Sequence, residues 1–371
     1  MTPALAVPFN DLKPKVAAHR AAIDRAIARV LDRGYFILGP EVEAFERELA
    51  SAMGMKDAVA VANGTDAIIL ALEARGIGAG DEVITSPMSA AFSALAISRL
   101  GATPVFGDID PSTMNLDPAT IEARITPRTK AILPVHLYGH PADLDPIMDI
   151  AREHKLLVVE DACQAHGARY QGRPVGSLAG IGALSFYPTK NLGGFGDGGA
   201  ILVDDPEAAR KLRKLRNGGQ GERYQHEIIG TNSRLDEMQA AILRELLETL
   251  GAETSRRREI AERYFEAFRG LPLGLPEEQS YARAVYHLFV VRHPRRAAFM
   301  AALAARGVGT LIHYPIALHL QRAYASLGGK PGDRPRVEKA ADEIVSLPVY
   351  PELTDDQVGV VIAAVKEAVD A

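Results

Sequence analysis

One cysteine, Cys163, stands among 371 residues. A single thiol excludes an intramolecular disulfide framework and any multi-cysteine metal site, and it fits a reducing cytoplasm. Basic residues are not in excess: 42 Lys and Arg against 47 Asp and Glu leave a net charge of −5. That balance argues against nucleic acid or an anionic membrane as partner. No apolar run approaches the ~18 residues that a membrane span needs. The opening MTPALAVPFNDLKPK has no charged segment ahead of its short apolar stretch, so it does not read as a signal peptide. Repeats, low-complexity tracts and long charged tails are missing too. What is there is ordinary globular composition, 47% apolar and 24% charged, in a chain long enough to bury a core without staples. The expectation is a cytoplasmic enzyme with one large and one small domain.

Between about residues 57 and 204, short Val- and Ile-rich runs alternate with Ala-rich amphipathic stretches. The runs are 57–62, 82–86, 103–107, 130–135, 156–161, 183–187 and 200–204. Helices are expected at about 65–75, 90–100, 117–125 and 143–154. Continuous apolar strands separated by helices predict a mainly parallel sheet covered on both faces, an α/β/α arrangement. Helical patterns follow at about 206–217, 233–250 and 254–269. The Gly- and Pro-rich GLPLGLPEEQS (270–280) reads as a break. Beyond it, a strand (286–292), a helix (295–306), a short strand near 309–313 and helices at 336–346 and 354–369 suggest a smaller α+β unit. The division is placed at 1–250 for the large domain and 251–371 for the small one.

Ligands of open α/β sheets bind beyond the carboxyl ends of the strands. Three segments there carry chemistry. In Asn63-Gly64-Thr65-Asp66, Gly64 permits close approach of a ligand, and Thr65 offers a hydroxyl at a helix start suited to phosphate; a plain helix cap explains it equally well. Asp161 ends the most apolar strand, where a carboxylate is costly without a partner, although a structural ion pair or a cap would also account for it. Nearby Cys163 and His166 make a weak case for a nucleophile and base. Lys190 follows an apolar strand in the glycine-rich YPTKNLGGFGDGG, where a desolvated amine can form Schiff bases; a solvated loop lysine is the commoner fate.

Other patterns mislead. Gly194 to Gly199 matches G-x-G-x-x-G, but AILVD after it reads as a strand, not the helix that a dinucleotide site requires. His136 and His140, four apart, read as structural rather than as metal ligands, and no metal is expected.

One ligand explains the three segments together. Pyridoxal phosphate needs a lysine for its aldehyde, a carboxylate for its pyridinium nitrogen, and a helix N-terminus with hydroxyls for its phosphate. Lys190, Asp161, and Gly64-Thr65 with Ser185 supply those parts from three strand ends.

NGTDAI (63–68), EDACQAHGA (160–168), SFYPTKNLGGFGDGGAI (185–201) and GTNSRLDEMQAAIL (230–243) resemble the signature blocks of the DegT/DnrJ/EryC1/StrS family. GYFILGPEVEAFE (34–46), VHLYGHPADLDPI (135–147), HYPIALH (313–319) and SLPVYPELT (346–354) extend the resemblance over nearly the whole chain. It implies the fold type I aminotransferase architecture and a cytoplasmic, pyridoxal 5'-phosphate-dependent enzyme. By the same resemblance, Lys190 would hold the cofactor and shuttle a proton. Asp161 would pair with the pyridinium, and Gln164 would lie near the ring hydroxyl. Gly64, Thr65 and Ser185 would bind the phosphate. Asn232 would reach the cofactor of a neighbouring subunit in a homodimer. His313 and Tyr314 would lie near a nucleotide sugar. Relatives carry an aromatic residue over the ring where this chain has Ala90, which leaves Met88 or Phe92 to cover that face, or leaves it loosely packed. Relatives with histidine in place of the lysine dehydrate sugars; Lys190 favours transamination.

The resulting expectation is ping-pong transfer of an amino group from L-glutamate to a dTDP- or UDP-linked keto-deoxysugar, at C-3. Alternatives are a 4-keto sugar, a keto-cyclitol, an aromatic amino acid precursor, or a non-catalytic sensor of cofactor or sugar.

Overall fold

The computed structural model describes residues 6–370. All seven strands expected between residues 57 and 204 form. They are β1 (Asp57–Val61), β2 (Glu82–Thr85), β3 (Thr103–Phe106), β4 (Thr129–Leu133), β5 with β6 (Leu157–Val158 and Glu160–Asp161, one line interrupted at Val159), β7 (Ile181–Ser185) and β8 (Gly199–Val203). One half of the sheet runs β3-β2-β4-β5, all parallel; the other runs β6-β7-β8-β1. A parallel bridge between Val135 and Asp161 joins them. Only β8 runs against its neighbours, β1 and β7. The carboxyl ends of the others therefore share one edge, where β8 begins.

The strands are buried on both faces, and their period of two divides the core. Ala58 and Ala60 of β1 turn toward Phe45, Leu49 and Leu243, residues of helices α2 (Pro40–Ala52) and α7 (Glu237–Leu247). Val59 and Val61 turn toward Ile68, Leu72 and Leu212, from α3 (Gly64–Ala74) and α6 (Pro206–Leu215). Helices α4 (Phe92–Arg99) and α5 (Leu144–Glu153) complete the cover. A further cluster joins Val7 to residues between Ile260 and Ala368, around α8 (Leu250–Phe268) and the antiparallel pair β9 (Phe289–Arg292) and β10 (Ile344–Leu347). Helices α9 (Arg296–Ala305), α10 (Pro335–Glu343) and α11 (Asp355–Ala368) surround that pair.

Three expectations are corrected. The stretch 117–125 forms two 3-10 turns, Pro118–Thr120 and Glu122–Arg124, instead of an α-helix. No strand forms at 309–313; only a bridge from Leu311 to Ser346 occurs there. The helix expected at 336–346 stops at Glu343, and its last residues become β10. Two helices also precede the first strand: α1 (Lys13–Arg33) and α2.

Helix α2 has no capping side chain of its own. Its free N–H groups are met from α7. Glu237, fully buried, accepts from Gly39 at 2.9 Å, Val42 at 2.8 Å and Glu41 at 3.0 Å. Hydrogen bonds to a buried charge are among the stronger ones, and orphaned donors are penalised. Glu237→Ala is expected to cost about 3 kcal/mol of stability, read as a shift in urea midpoint. Glu237→Gln is expected to cost less.

Candidate active site

The sheet edge gathers the three predicted segments. Asn63, not Thr65, caps α3, accepting from the Asp66 N–H at 2.8 Å; Thr65 lies one residue inside the helix. Gly64 is held to its residue type by space. A Cβ there would come within 2.6 Å of the Ser185 Cβ and 3.1 Å of the Cys163 Sγ. The N-terminus of α3, the end of β7 and the loop after β6 thus meet in a cradle with no room for another side chain. Free helix N–H groups and the Ser185 hydroxyl suit a phosphate there.

Asp161 is 4% exposed. Its Oδ1 accepts from the Cys163 N–H at 3.1 Å and its Oδ2 from the Ser93 hydroxyl at 2.7 Å. The competing readings, helix cap and structural ion pair, do not describe it. Lys190 sits in a turn after β7, where its N–H donates to the Tyr187 carbonyl at 2.8 Å. Burial lowers its pKa, with Cys163 and Asp161 opposing the shift. Behind that loop, buried Lys15 of α1 donates to the Gly193 carbonyl at 3.4 Å. The next residue, Asn191, donates to the Val285 carbonyl at 3.1 Å and meets the His287 ring at 3.2 Å. The glycine-rich loop is anchored just after the lysine, at Asn191 and Gly193.

Gln164 is buried and committed. Its Oε1 accepts from the Tyr138 N–H at 2.8 Å, and its Nε2 donates to the Tyr314 hydroxyl at 3.0 Å, leaving one amide hydrogen free. Tyr138 in turn donates its hydroxyl to the His313 carbonyl. This chain brings the 313–314 segment onto the sheet edge. His313 bonds Ser346 through Nδ1 at 2.8 Å; burial and the charge of Lys190 lower its pKa to about 4.

Asn232 is exposed and bridges Asn217 through the backbone. The next residue, Ser233, donates to Asp66 of α3 at 2.6 Å. Tyr35, Phe36 and Ile37 are exposed nearby, with Phe36 accepting from the Glu237 N–H. Ala90 is partly buried, Met88 packs with Val135, Leu137 and Tyr138, and Phe92 is 58% exposed. Cys163 is a buried-side thiol whose pKa burial pushes up. His136 accepts from the Ala142 N–H at 3.0 Å and donates to Glu160 at 3.1 Å; His140 bonds the Pro141 carbonyl at 2.7 Å and accepts from the Gln279 N–H at 3.2 Å. Both histidines have the structural partners expected of them. Gly199 opens β8, so the G-x-G-x-x-G match leads into a strand.

Lysine, carboxylate and helix-capped cradle converge at the carboxyl edge of a mainly parallel sheet, the arrangement of a lysine-dependent α/β enzyme. The description of the DegT/DnrJ/EryC1/StrS aminotransferase family matches residues 18–366, and the chain belongs to that family. It is 51% identical to a Streptomyces venezuelae dTDP-3-amino-3,4,6-trideoxy-alpha-D-glucose transaminase, over 97% of this chain and 96% of the relative. The crystal structure of S. venezuelae DesV in complex with a ketimine intermediate superposes with a TM-score of 0.97 at 50% identity, covering 98% of this chain and 99% of the other. The Bacillus subtilis NtdA structure with bound cofactor PMP gives 0.91 at 33% identity, covering 100% and 87%.

His166 is fully buried, and among the described residues neither ring nitrogen has a hydrogen-bond partner. Burial, followed by the charge of Lys190, lowers its pKa from 6.5 to about 3. The unfolded ring takes up a proton that the folded ring refuses. The stability this neutral ring contributes is complete above the unfolded value and falls with pH through the window from 6.5 to 3. Between pH 7 and 5 the loss from this one group is about 2 kcal/mol. His166→Leu is expected to flatten the decline of the denaturation midpoint over that window by this amount. An equally steep decline in the variant would contradict the assignment.

Proposed function

We propose that this chain is a pyridoxal 5'-phosphate-dependent aminotransferase that moves an amino group from L-glutamate to C-3 of a dTDP- or UDP-linked keto-deoxysugar. The observation that carries this reading is the meeting of Lys190, Asp161 and the α3 cradle at one sheet edge. The substrate class is supported by the 51% identical transaminase, named for a dTDP-3-amino sugar.

The residues fit the cofactor. The α3 N-terminus with Thr65 and Ser185 takes its phosphate at the Gly64 gap. The Asp161 carboxylate would accept the pyridinium N–H. Gln164 has a hydrogen left for the ring hydroxyl. When bound, the cofactor supplies an electron sink for a carbanion at the substrate carbon. Lys190 Nζ is the group that would hold the cofactor. Displaced by the substrate amine, the same nitrogen would carry a proton to and from the substrate carbon, and its lowered pKa eases the release of its own proton. The donor leaves as a keto acid before the keto sugar enters, so the kinetics are ping-pong. His313 and Tyr314 line the approach of the sugar. Asn232 and the exposed Tyr35, Phe36 and Ile37 belong to a homodimer interface that brings Asn232 to the partner's cofactor phosphate.

The test is turnover of paired 3-keto and 4-keto nucleotide sugars with L-glutamate. Amination of the 3-keto substrate is expected, with parallel lines in double-reciprocal plots and no turnover by Lys190→Ala. Conversion of the 4-keto substrate alone would overturn the regiochemistry.

A further inference from the structure

The segment that leads from β2 into α4 lacks an aromatic residue at Ala90, yet it reaches the carboxylate through hydroxyls, Ser93 lying in the first turn of α4. Ser93 is 2% exposed, Ser89 3% and Asp161 4%. Ser93 Oγ donates to Asp161 Oδ2 at 2.7 Å, and Ser89 Oγ lies 3.2 Å from Ser93 Oγ. A hydroxyl has one hydrogen. Since that of Ser93 is spent on Asp161, Ser89 is the donor to Ser93. The bonds run in one direction, Ser89 to Ser93 to Asp161, which strengthens each. Ser93 also departs from the common habit of a helical serine. Ser98, on the same helix, bonds back to the Ala94 carbonyl at 3.0 Å. Ser93 instead turns to a residue 68 positions away in the chain. With the Cys163 N–H on Oδ1, the carboxylate is clamped on both oxygens, and each keeps a lone pair for another donor.

We propose that Ser93, backed by Ser89, is a positioning residue for amino transfer, holding Asp161 as an oriented acceptor for the ring nitrogen of the cofactor. This rests on the role of Asp161 proposed above. The other groups facing that carboxylate are Lys190 from the loop after β7, the Cys163 thiol and the Tyr314 hydroxyl. Without the Ser93 donor the carboxylate is free to turn from the ring nitrogen, and a misaligned acceptor is a poorer partner for a ring cation. The ring then withdraws fewer electrons, and the nitrogen joined to Lys190 keeps its proton to higher pH.

The experiment follows the visible absorption band of the holoenzyme against pH, together with kcat and KM, in wild type, Ser93→Ala, Ser93→Thr, Ser89→Ala and Asp161→Asn. In Ser93→Ala the midpoint is expected to rise by about half to one unit, and kcat to fall about tenfold, with the donor KM nearly constant. Ser93→Thr restores both values, and Ser89→Ala moves the midpoint less, in the same direction. A wild-type midpoint and kcat in Ser93→Ala, with only the melting temperature lowered, would reduce Ser93 to packing and overturn the relay. That result beside a shifted Asp161→Asn midpoint sinks the relay alone. An unmoved midpoint in Asp161→Asn sinks the role of Asp161 itself.

Discussion

Asp161 is a carboxylate at the end of a strand buried on both faces, and that placement governs the rest of the site. Desolvating a lone charge there would cost several kcal/mol. The fold offsets the cost with a backbone N–H from its own loop and a hydroxyl from α4. Across the edge, Lys190 is desolvated too, and its pKa falls in consequence. A carboxylate kept as acceptor and an amine inclined to lose its proton are what a pyridinium-bearing aldehyde cofactor requires. The parallel strands set both at one edge, and the close approach of Gly64 to Ser185 leaves the α3 N-terminus open beside them.

The same solution recurs in the scaffold. Glu237 closes the N-terminus of α2, Glu46 accepts from the Ala60 N–H of β1 and from Arg216, and Glu160 accepts from the Gly176 and Ala179 N–H groups at 2.7 Å each. Glu237 and Glu46 tie segments far apart in the chain, and Glu160 ties β6 to the loop before β7. Rigidity at the sheet edge follows from these ties. Lys15 and Asn191 extend them to the loop that carries Lys190.

Much of this was legible in sequence. The seven runs of Val and Ile became the seven strands, because strands buried on both faces must be apolar throughout. The residues just beyond them, Gly64, Asp161 and Lys190, did converge. What failed was decided locally or by distant partners. The 117–125 stretch opens on Pro118, which suits a helix start, but Pro127 closes it within two turns, and those form as 3-10 turns. Residues 344–346 continue a helical pattern but pair with β9, a choice that tertiary contact made. The hydroxyls of Ser89 and Ser93, the bare ring of His166 and the reach of Lys15 show no pattern along the chain, since their partners are remote. Met88 and Phe92 were open alternatives for the ring face; burial of Met88 among Val135, Leu137 and Tyr138 ties it to the core.

The central claim is that Lys190 holds the cofactor and passes it between two substrates at this edge. The most direct measurement is the visible spectrum of the purified holoenzyme on adding L-glutamate and then a nucleotide-linked 3-keto sugar. The account predicts that glutamate abolishes the visible band, that the keto sugar restores it, and that Lys190→Ala shows neither the original band nor the cycle. A wild-type protein that remains colourless with added pyridoxal 5'-phosphate, or a Lys190→Ala variant that completes the cycle, would contradict it.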